Sequence, residues 1–355
     1  MSEIDYDLLS SYAGLLGLAT VSIYVGAHGS LPSPKNADGT RDEDEEVPER
    51  MSSEDAWLFP VIGSVTLLGM YAVVKYCGPE WINWLLGWYF ALAGVGSVWK
   101  SSIALARFLV GDARWKGFDT VSVAVHKGAA EVLAVSCRTP SLLLLPAAAV
   151  PSALYTFSAA TRKSVLLTDV LSLSFAHNAL ALLKIDSFKT GCILLSGLFL
   201  YDVWWVFGTE VMVKVATSLD VPIKLLWPKS MAFSDARGYT MLGLGDVVVP
   251  GIFVALALRY DYHRAGDCAG RFGKTYFYAT LVGYVGGLAT TMSVMHIFGA
   301  AQPALLYLSP ACMGAFAATG VVRGELGTAW AWSDGREAGA VEASAPDGES
   351  ERKTK

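Results

Sequence analysis

Nine apolar runs of about 20 residues constrain this chain more than any other feature. They fall near 8–31, 56–77, 81–99, 141–158, 165–183, 191–213, 239–258, 275–298 and 301–322. At 1.5 Å of rise per residue, a helix needs about 20 residues to cross a hydrocarbon core roughly 30 Å thick. With 53% hydrophobic and only 17% charged residues, the chain has too little charge to cover a water-soluble surface. The expected fold is therefore all-α and polytopic, with about nine transmembrane helices. Pro146 and Pro151 interrupt the fourth run, an interruption that bundle helices tolerate because neighbours satisfy the freed backbone groups.

The segments between these runs differ in character. Residues 32–55 hold nine acids against Lys35, Arg41 and Arg50, a balance of −6 that accounts for the whole chain's −5. Such a segment reads as a solvated, disordered connector. Residues 100–140 mix Lys100, Arg107, Arg114, Lys116, Lys127 and Arg138 with apolar pairs and read as an irregular or interfacial connector. Three regions are expected: an N-terminal membrane region over 1–164 with about four helices, a membrane domain over 165–322 with about five, and a disordered tail over 323–355. No internal repeat is visible, unlike the two-half design of many transporters. The five cysteines are scattered without a CxxC pair, which argues against a disulfide framework or a zinc site. The start, "MSEIDYD", is acidic where a cleaved signal is basic, so the first run reads as a retained helix. No N-x-S/T sequon is present to report on topology.

Basic residues then orient the chain. With nine crossings the termini lie on opposite faces. The C-terminal face collects 20 of the 27 Lys and Arg, from 32–55, 100–140, 184–190, 259–274 and the tail, and the other face collects 7. The tail is expected in the cytosol and the N-terminus in the lumen or outside.

Of the carboxylates within the spans, two lie well away from a span end or a basic neighbour. Asp202, in "SGLFLYDVWWVFG", is twelfth of the twenty-three residues of run 191–213, and Asp246, in "MLGLGDVVVPG", lies about seven residues into the next run. The two runs are consecutive and antiparallel, so the depths differ by about four residues, or roughly 6 Å. A charged Asp at a helix centre costs about 2.5–3.5 kcal/mol on insertion scales, and neither run has an interior Lys or Arg to offset it. The two carboxyls are expected to answer each other, sharing one proton. Close carboxyls in a low-dielectric site titrate as a pair, leaving one ionised and one protonated near neutral pH. Hydrolysis of a peptide bond by water needs such a pair, one member to take a proton from water and one to give a proton to the carbonyl oxygen. On these grounds alone, helix–helix hydrogen bonding or ion coordination in a carrier stays open.

The neighbours narrow the choice. Gly243 and Gly245 flank Leu244 just before Asp246, and glycines ease local unwinding and close approach of another backbone. An enzyme cutting inside a membrane must open its substrate's helix, and a glycine-loosened wall is a place where an extended strand could pair. Pro303 lacks an N–H, so the last span can break there and present Gln302 and Pro303 to a cavity.

Tyr201–Asp202, "GLGD" at 243–246 and "QPAL" at 302–305, on three helices in that order, resemble the GxGD intramembrane aspartyl proteases. Within that group the chain is similar to the signal peptide peptidases. "TGCILLSGLFLYDVWWVFGTEVMVKVA" (190–216), "PIKLLWP" (222–228), "TYFYATLVGY" (275–284) and "MHIFGAAQPALLYLSPACMG" (295–314) carry the likeness over about residues 165–326. It implies a nine-helix bundle like that of presenilins and signal peptide peptidases, with Asp202 and Asp246 as the catalytic pair. It also implies that Pro303, Ala304 and Leu305 shape the site. The presenilins share the motifs but resemble an opposite orientation, which the 20-to-7 bias and the short 214–238 loop disfavour. The N-terminal third, and especially residues 100–164, resembles the family poorly.

Other polar residues suggest plainer roles. Asp169 reads as interfacial, Glu210 as water-accessible and non-catalytic, His177 and Asn178 as helix–helix hydrogen bonders. Trp204, Trp205 and Phe207 read as packing. The terminal "RKTK" resembles a retrieval signal of endoplasmic reticulum membrane proteins. The reading is thus an endopeptidase of that membrane, cutting helices of type II orientation such as released signal peptides. Catalytic Asp202 and Asp246 would be supported by Tyr201, Gly243, Leu244, Gly245, Gln302, Pro303, Ala304 and Leu305, with no metal, no cofactor and no nucleic acid partner. Its partners would be the lipid bilayer and membrane-spanning peptides, and homo-oligomers resemble the family's habit. Rival readings are an ion-coupled carrier with a proton relay and a non-catalytic binder of membrane helices.

Overall fold

The computed structural model describes residues 6–32, 49–115, 117–127, 130–157, 164–219, 221–229, 238–266, 272–300 and 302–334. In chain order the elements are α1 (Tyr6–Gly29), β1 (Glu49–Met51), α2 (Ser53–Cys77), α3 (Pro79–Val110), α4 (Asp112–Trp115), β2 (Thr120–Lys127) and β3 (Ala130–Arg138). There follow α5 (Thr139–Phe157), α6 (Val165–Leu182), β4 (Leu183–Ile185), α7 (Phe188–Phe207), α8 (Val211–Ser218), β5 (Lys224–Pro228) and β6 (Tyr239–Gly243). The chain closes with α9 (Gly245–Arg264), α10 (Thr275–Phe298), α11 (Leu305–Arg323) and α12 (Leu326–Ala331). The protein is mostly helical and polytopic. Among the described residues, seven helices (α1, α2, α5, α6, α7, α10 and α11) are long and apolar enough to cross a membrane. The remaining long helices are α3, rich in Trp, Tyr and Gly, and α9, which carries Asp246, Arg259 and Asp261.

Local chemistry sets the ends of these helices. Ser52 and Asp55 form a reciprocal capping box at the start of α2. Ser187 caps α7 by accepting the Thr190 N–H. A carboxylate from another helix serves α10, whose Phe277 N–H donates to Asp261 Oδ2 at 2.9 Å. Gly299 and Gly324, at φ 62° and 67°, end α10 and α11 in the left-handed region.

The core gathers α1, α6, α7, α10 and α11 around α9, whose residues from Pro250 to Asp261 are buried without a break. A methyl at Gly251 would lie 2.7 Å from Leu180 of α6 and 3.1 Å from Ile23 of α1, so three helices meet there at backbone distance. A smaller cluster of Val98, Ala148, Tyr155 and Leu171 joins α3, α5 and α6. Along α2 only Ala56 is buried, as suits a helix facing lipid.

Several segments depart from the sequence expectation. The connector 100–140 is not irregular: α3 continues to Val110, and "TVSVAVHK" pairs with "AEVLAVSCR" as an antiparallel hairpin of β2 and β3. Its β-branched alternation, masked by the basic residues, is the strand signal. In the acidic connector, 33–48 lies outside the described residues, but Glu49–Met51 is ordered as a strand parallel to β4. Run 191–213 breaks at Gly208, where α7 ends and the short α8 follows. In run 239–258 the first five residues are strand β6, paired with β5 (Lys224↔Gly243 to Pro228↔Tyr239). The signal over 335–355, including "RKTK", lies outside the described residues.

One end of the bundle carries β1, β4 and the α9–α10 and α11–α12 junctions. There Arg259 Nη1 donates to Asp334 Oδ2 at 2.7 Å, Arg50 to Asp334 O, and Arg264 to Glu325. The opposite end carries α8, β5 and β6, with Asn83 Nδ2 donating to Ser218 O.

Candidate active site

Asp202 lies five residues before the end of α7, and Asp246 in the first turn of α9. Both sit toward the end of the bundle that carries β5 and β6. Asp246 is therefore not some 10 Å down a helix, as the apolar run implied, because that run begins as a strand. Counted from the facing ends of α7 and α9, the two aspartates still differ by about four residues, or roughly one helical turn. Asp202 is 4% exposed and Asp246 half-buried, and the two are within electrostatic reach of each other.

The start of α11 completes this corner. Pro303, Ala304 and Leu305 are buried, and Gln302 is half-buried beside them. Leu305 is the first residue of α11, and its N–H donates to Asp202 Oδ2 at 3.0 Å. The first N–H groups of a helix have no partner within it, and the positive end of its dipole favours an acceptor that carries negative charge. Pro303 cannot extend the helix upstream through an N–H of its own. The break therefore leaves Leu305 N–H free to bond the carboxylate of another helix.

Gly243, exposed, ends β6, and a methyl there would lie 3.3 Å from Asp246 Oδ2. Leu244 turns the chain from strand to helix: its N–H donates to Ile223 O, and its carbonyl accepts from Val247 and Val248. Gly245 faces open space. Tyr201 is half-buried and leans on α2, where a methyl at Gly63 would touch its ring at 3.5 Å. The structure thus brings Asp202, Asp246, Gly243 and Leu305 into one corner, while Tyr201 joins that corner to α2.

Residues not foreseen as functional hold the β5–β6 hairpin over the carboxylates. Asp169, near the start of α6, bonds the hairpin, its Oδ1 accepting the Leu226 N–H at 2.8 Å. Ser172 Oγ bonds Pro222 O and Lys224 O at 3.0 and 2.9 Å. Ser11 and Thr240 share a hydroxyl hydrogen bond, and Trp227 packs directly on Gly14. One edge of the hairpin is therefore anchored on α6. The exposed Met241 and Gly243 lie on the other strand.

The remaining polar candidates take structural roles. Asn178 Nδ2 reaches Ser97 O and Oγ and Ser101 Oγ on α3, as a helix–helix bonder should. His177 does not: its buried Nδ1 has no partner among the described residues. Glu210 is exposed and paired with Lys214 at 2.8 Å, and this hydrogen bond and charge hold its carboxyl below the usual range. Trp205 is buried and donates to Ser64, whereas Trp204 and Phe207 are exposed toward lipid. Among the described residues, no group of three or more His, Cys, Asp or Glu side chains is placed to share a metal ion.

Comparison with known proteins gives this corner a context. The profile of the signal peptide peptidase family matches residues 43–336. The human signal peptide peptidase is 38% identical over 320 residues, 89% of this chain and 81% of that protein. The mouse signal peptide peptidase is 37% identical over 328 residues, 91% of this chain and 83% of that one. A probable intramembrane protease of Schizosaccharomyces pombe is 34% identical over 316 residues, 88% of this chain and 91% of the yeast protein.

Proposed function

We propose, from the premise that the chain belongs to the signal peptide peptidase family of intramembrane proteases, that it is an aspartic endopeptidase. Asp202 and Asp246 are its catalytic pair. The observation that carries this reading is the Leu305 N–H bond to Asp202, which ties the 302–305 motif to one carboxylate while the glycine-flanked turn carries the other.

The assignment of roles follows from that bond. An N–H donor suits an ionised acceptor, so Asp202 is the base and Asp246 the acid. Asp202 takes a proton from water, the water oxygen bonds the scissile carbonyl carbon, and Asp246 gives its proton to the carbonyl oxygen. A gem-diol results. On collapse the C–N bond breaks, Asp202 returns its proton to the departing nitrogen, and Asp246 recovers one from a diol hydroxyl. The substrate must present an extended backbone to be cut. Gly243 and the strand end beside Asp246 offer a surface where an unwound helix could pair.

The substrates are membrane-spanning peptides of type II orientation, such as released signal peptides, in the endoplasmic reticulum membrane. The N-terminus is lumenal and the C-terminus cytosolic. Support comes from the 20-to-7 distribution of basic residues. Segments of the basic face, represented by Arg50, Arg259, Arg264 and Arg323, gather at one end of the bundle.

The test is cleavage of a synthetic signal-peptide helix by purified protein in liposomes, followed by mass spectrometry. Wild type is expected to cut within the apolar segment with a bell-shaped pH profile. Asp202→Ala and Asp246→Ala, each still folded, should be at least 10²-fold slower, in keeping with roughly 10²–10⁴-fold for a general acid or base. Survival of cleavage in either variant, or a flat pH profile, would sink the pair. Proton flux in sealed vesicles without cleavage would favour a carrier, and co-purification of uncut helices a binder.

A further inference from the structure

Tyr284 lies near the middle of α10, fully buried, and its hydroxyl has no hydrogen-bond partner among the described residues. A phenol left so in a low-dielectric interior is costly, and each such group calls for a reason. Its surroundings supply one. The glycines on either side clamp this stretch of α10 onto α11. A methyl at Gly283 would lie 2.7 Å from Ala311 O, and one at Gly287 3.1 Å from Tyr307 O and from Leu308 Cα. The first turn of α11 holds Asp202, and α10 also packs on α9, which carries Asp246. The phenol thus belongs to the stretch of α10 that packs against these two helices, within electrostatic reach of Asp246. None of the catalytic steps above uses it.

We infer that Tyr284 is a positioning residue for Asp246, its hydroxyl, unpaired among the described residues, closing onto that carboxyl as a hydrogen-bond donor once a substrate fills the site. The inference rests on the reading of Asp202 and Asp246 as the catalytic pair. A donor at Asp246 fixes the rotamer from which the proton is delivered, and it stabilises the carboxylate left after delivery. The acid is thereby stronger at the moment it is needed. The titratable groups facing this corner are Asp202 and Tyr201 from α7, Tyr284 from α10 and Cys312 from α11, which is within electrostatic reach of the phenol. β6 meets Asp246 with the side-chain-free Gly243, and α1 and α6 pack on α9 further along, at Gly251.

The experiment measures kcat and KM across pH for the full chain in liposomes. It compares wild type, Tyr284→Phe, Tyr276→Phe and Asp246→Asn. Loss of the Tyr284 hydroxyl is expected to lower kcat roughly 10- to 100-fold, the worth of one hydrogen bond to a charged group, with little change in KM. Without the donor the Asp246 carboxylate is less favoured, so the acid keeps its proton longer and the alkaline limb moves to higher pH. Tyr276, a second buried phenol without a partner on the same helix, is remote from the pair, and Tyr276→Phe should leave the profile where it is. Replacement Tyr284→fluorotyrosine keeps the ring and strengthens the donor, so it should move the alkaline limb the opposite way. A Tyr284→Phe enzyme like wild type, or one slowed with an unmoved profile, would overturn the inference. A fully active Asp246→Asn would instead remove the catalytic pair itself, so the two failures are distinct.

Discussion

Helices α9 and α2 are both of membrane-crossing length and both contain a proline, yet they meet opposite surroundings. α9 carries Asp246, Arg259 and Asp261 and is enclosed by protein, with every residue from Pro250 to Asp261 buried. α2 carries no charge between Trp57 and Val74, and it turns Trp57, Val65 and Leu68 outward. The lesson is that apolar composition marks the helix touching lipid, and the helix at the centre of the bundle is the one free to hold charge. Charge there must be answered. Arg259 is met by Asp334 and by Ile185 O, and Asp261 by the Phe277 N–H. Asp246 alone of the three faces another carboxyl.

This contrast can be broken by matched substitutions, read as thermal unfolding in detergent and as cleavage. The largest difference is expected for Leu256→Ala against Leu68→Ala. Leu256 is fully buried in α9, and truncation should cost about 2–5 kcal/mol. Leu68 is 49% exposed to lipid, where an Ala is nearly as well accommodated, so its truncation should barely register. Equal losses at the two sites would show that α2 is enclosed, as it would be by a second copy of the chain in a homo-oligomer.

A smaller effect is expected from Asp334→Ala, which leaves the buried Arg259 short of its carboxylate. The loss should be about 2–3 kcal/mol, toward the low end for a broken buried pair because Asp334 is itself 22% exposed. Glu210→Ala, which breaks a fully exposed pair, should change neither stability nor activity measurably. The smallest member is Gly251→Ala against Gly69→Ala. The first forces a methyl against Leu180 and Ile23, at about 1–3 kcal/mol, and the second meets nothing within 4 Å. If Gly251→Ala were neutral, the three-helix contact at α9 would be looser than its geometry requires.

The two regions also differ in how much of them could be read in advance. The α2 wing was legible from hydropathy because its residues answer to lipid, a local property of each side chain. Asp202, Asp246 and the 302–305 motif stood out for a related reason, as costly or helix-breaking groups inside apolar runs. The hairpin was not legible. "YTMLG" is apolar and continuous with α9, and only its pairing with "KLLWP", across residues 229–238, makes it a strand. The partner of Asp169, the Leu226 N–H, was not legible either, because it is 57 residues away.

By itself the sequence determined that this chain lives in a membrane, that its helices cross many times, and that two aspartates lie in apolar runs where no cation relieves them. Those conclusions rest on transfer energies and helical rise, which act residue by residue. The tertiary structure alone decided that Leu305 N–H meets Asp202, that Asp246 opens a helix instead of lying within one, and that α9 is the central post. It also buried the phenol of Tyr284 on the helix that packs against both α9 and α11. These are contacts between segments far apart in the chain. Their partners are chosen by packing and by the need to satisfy every buried polar group, and no local pattern records either.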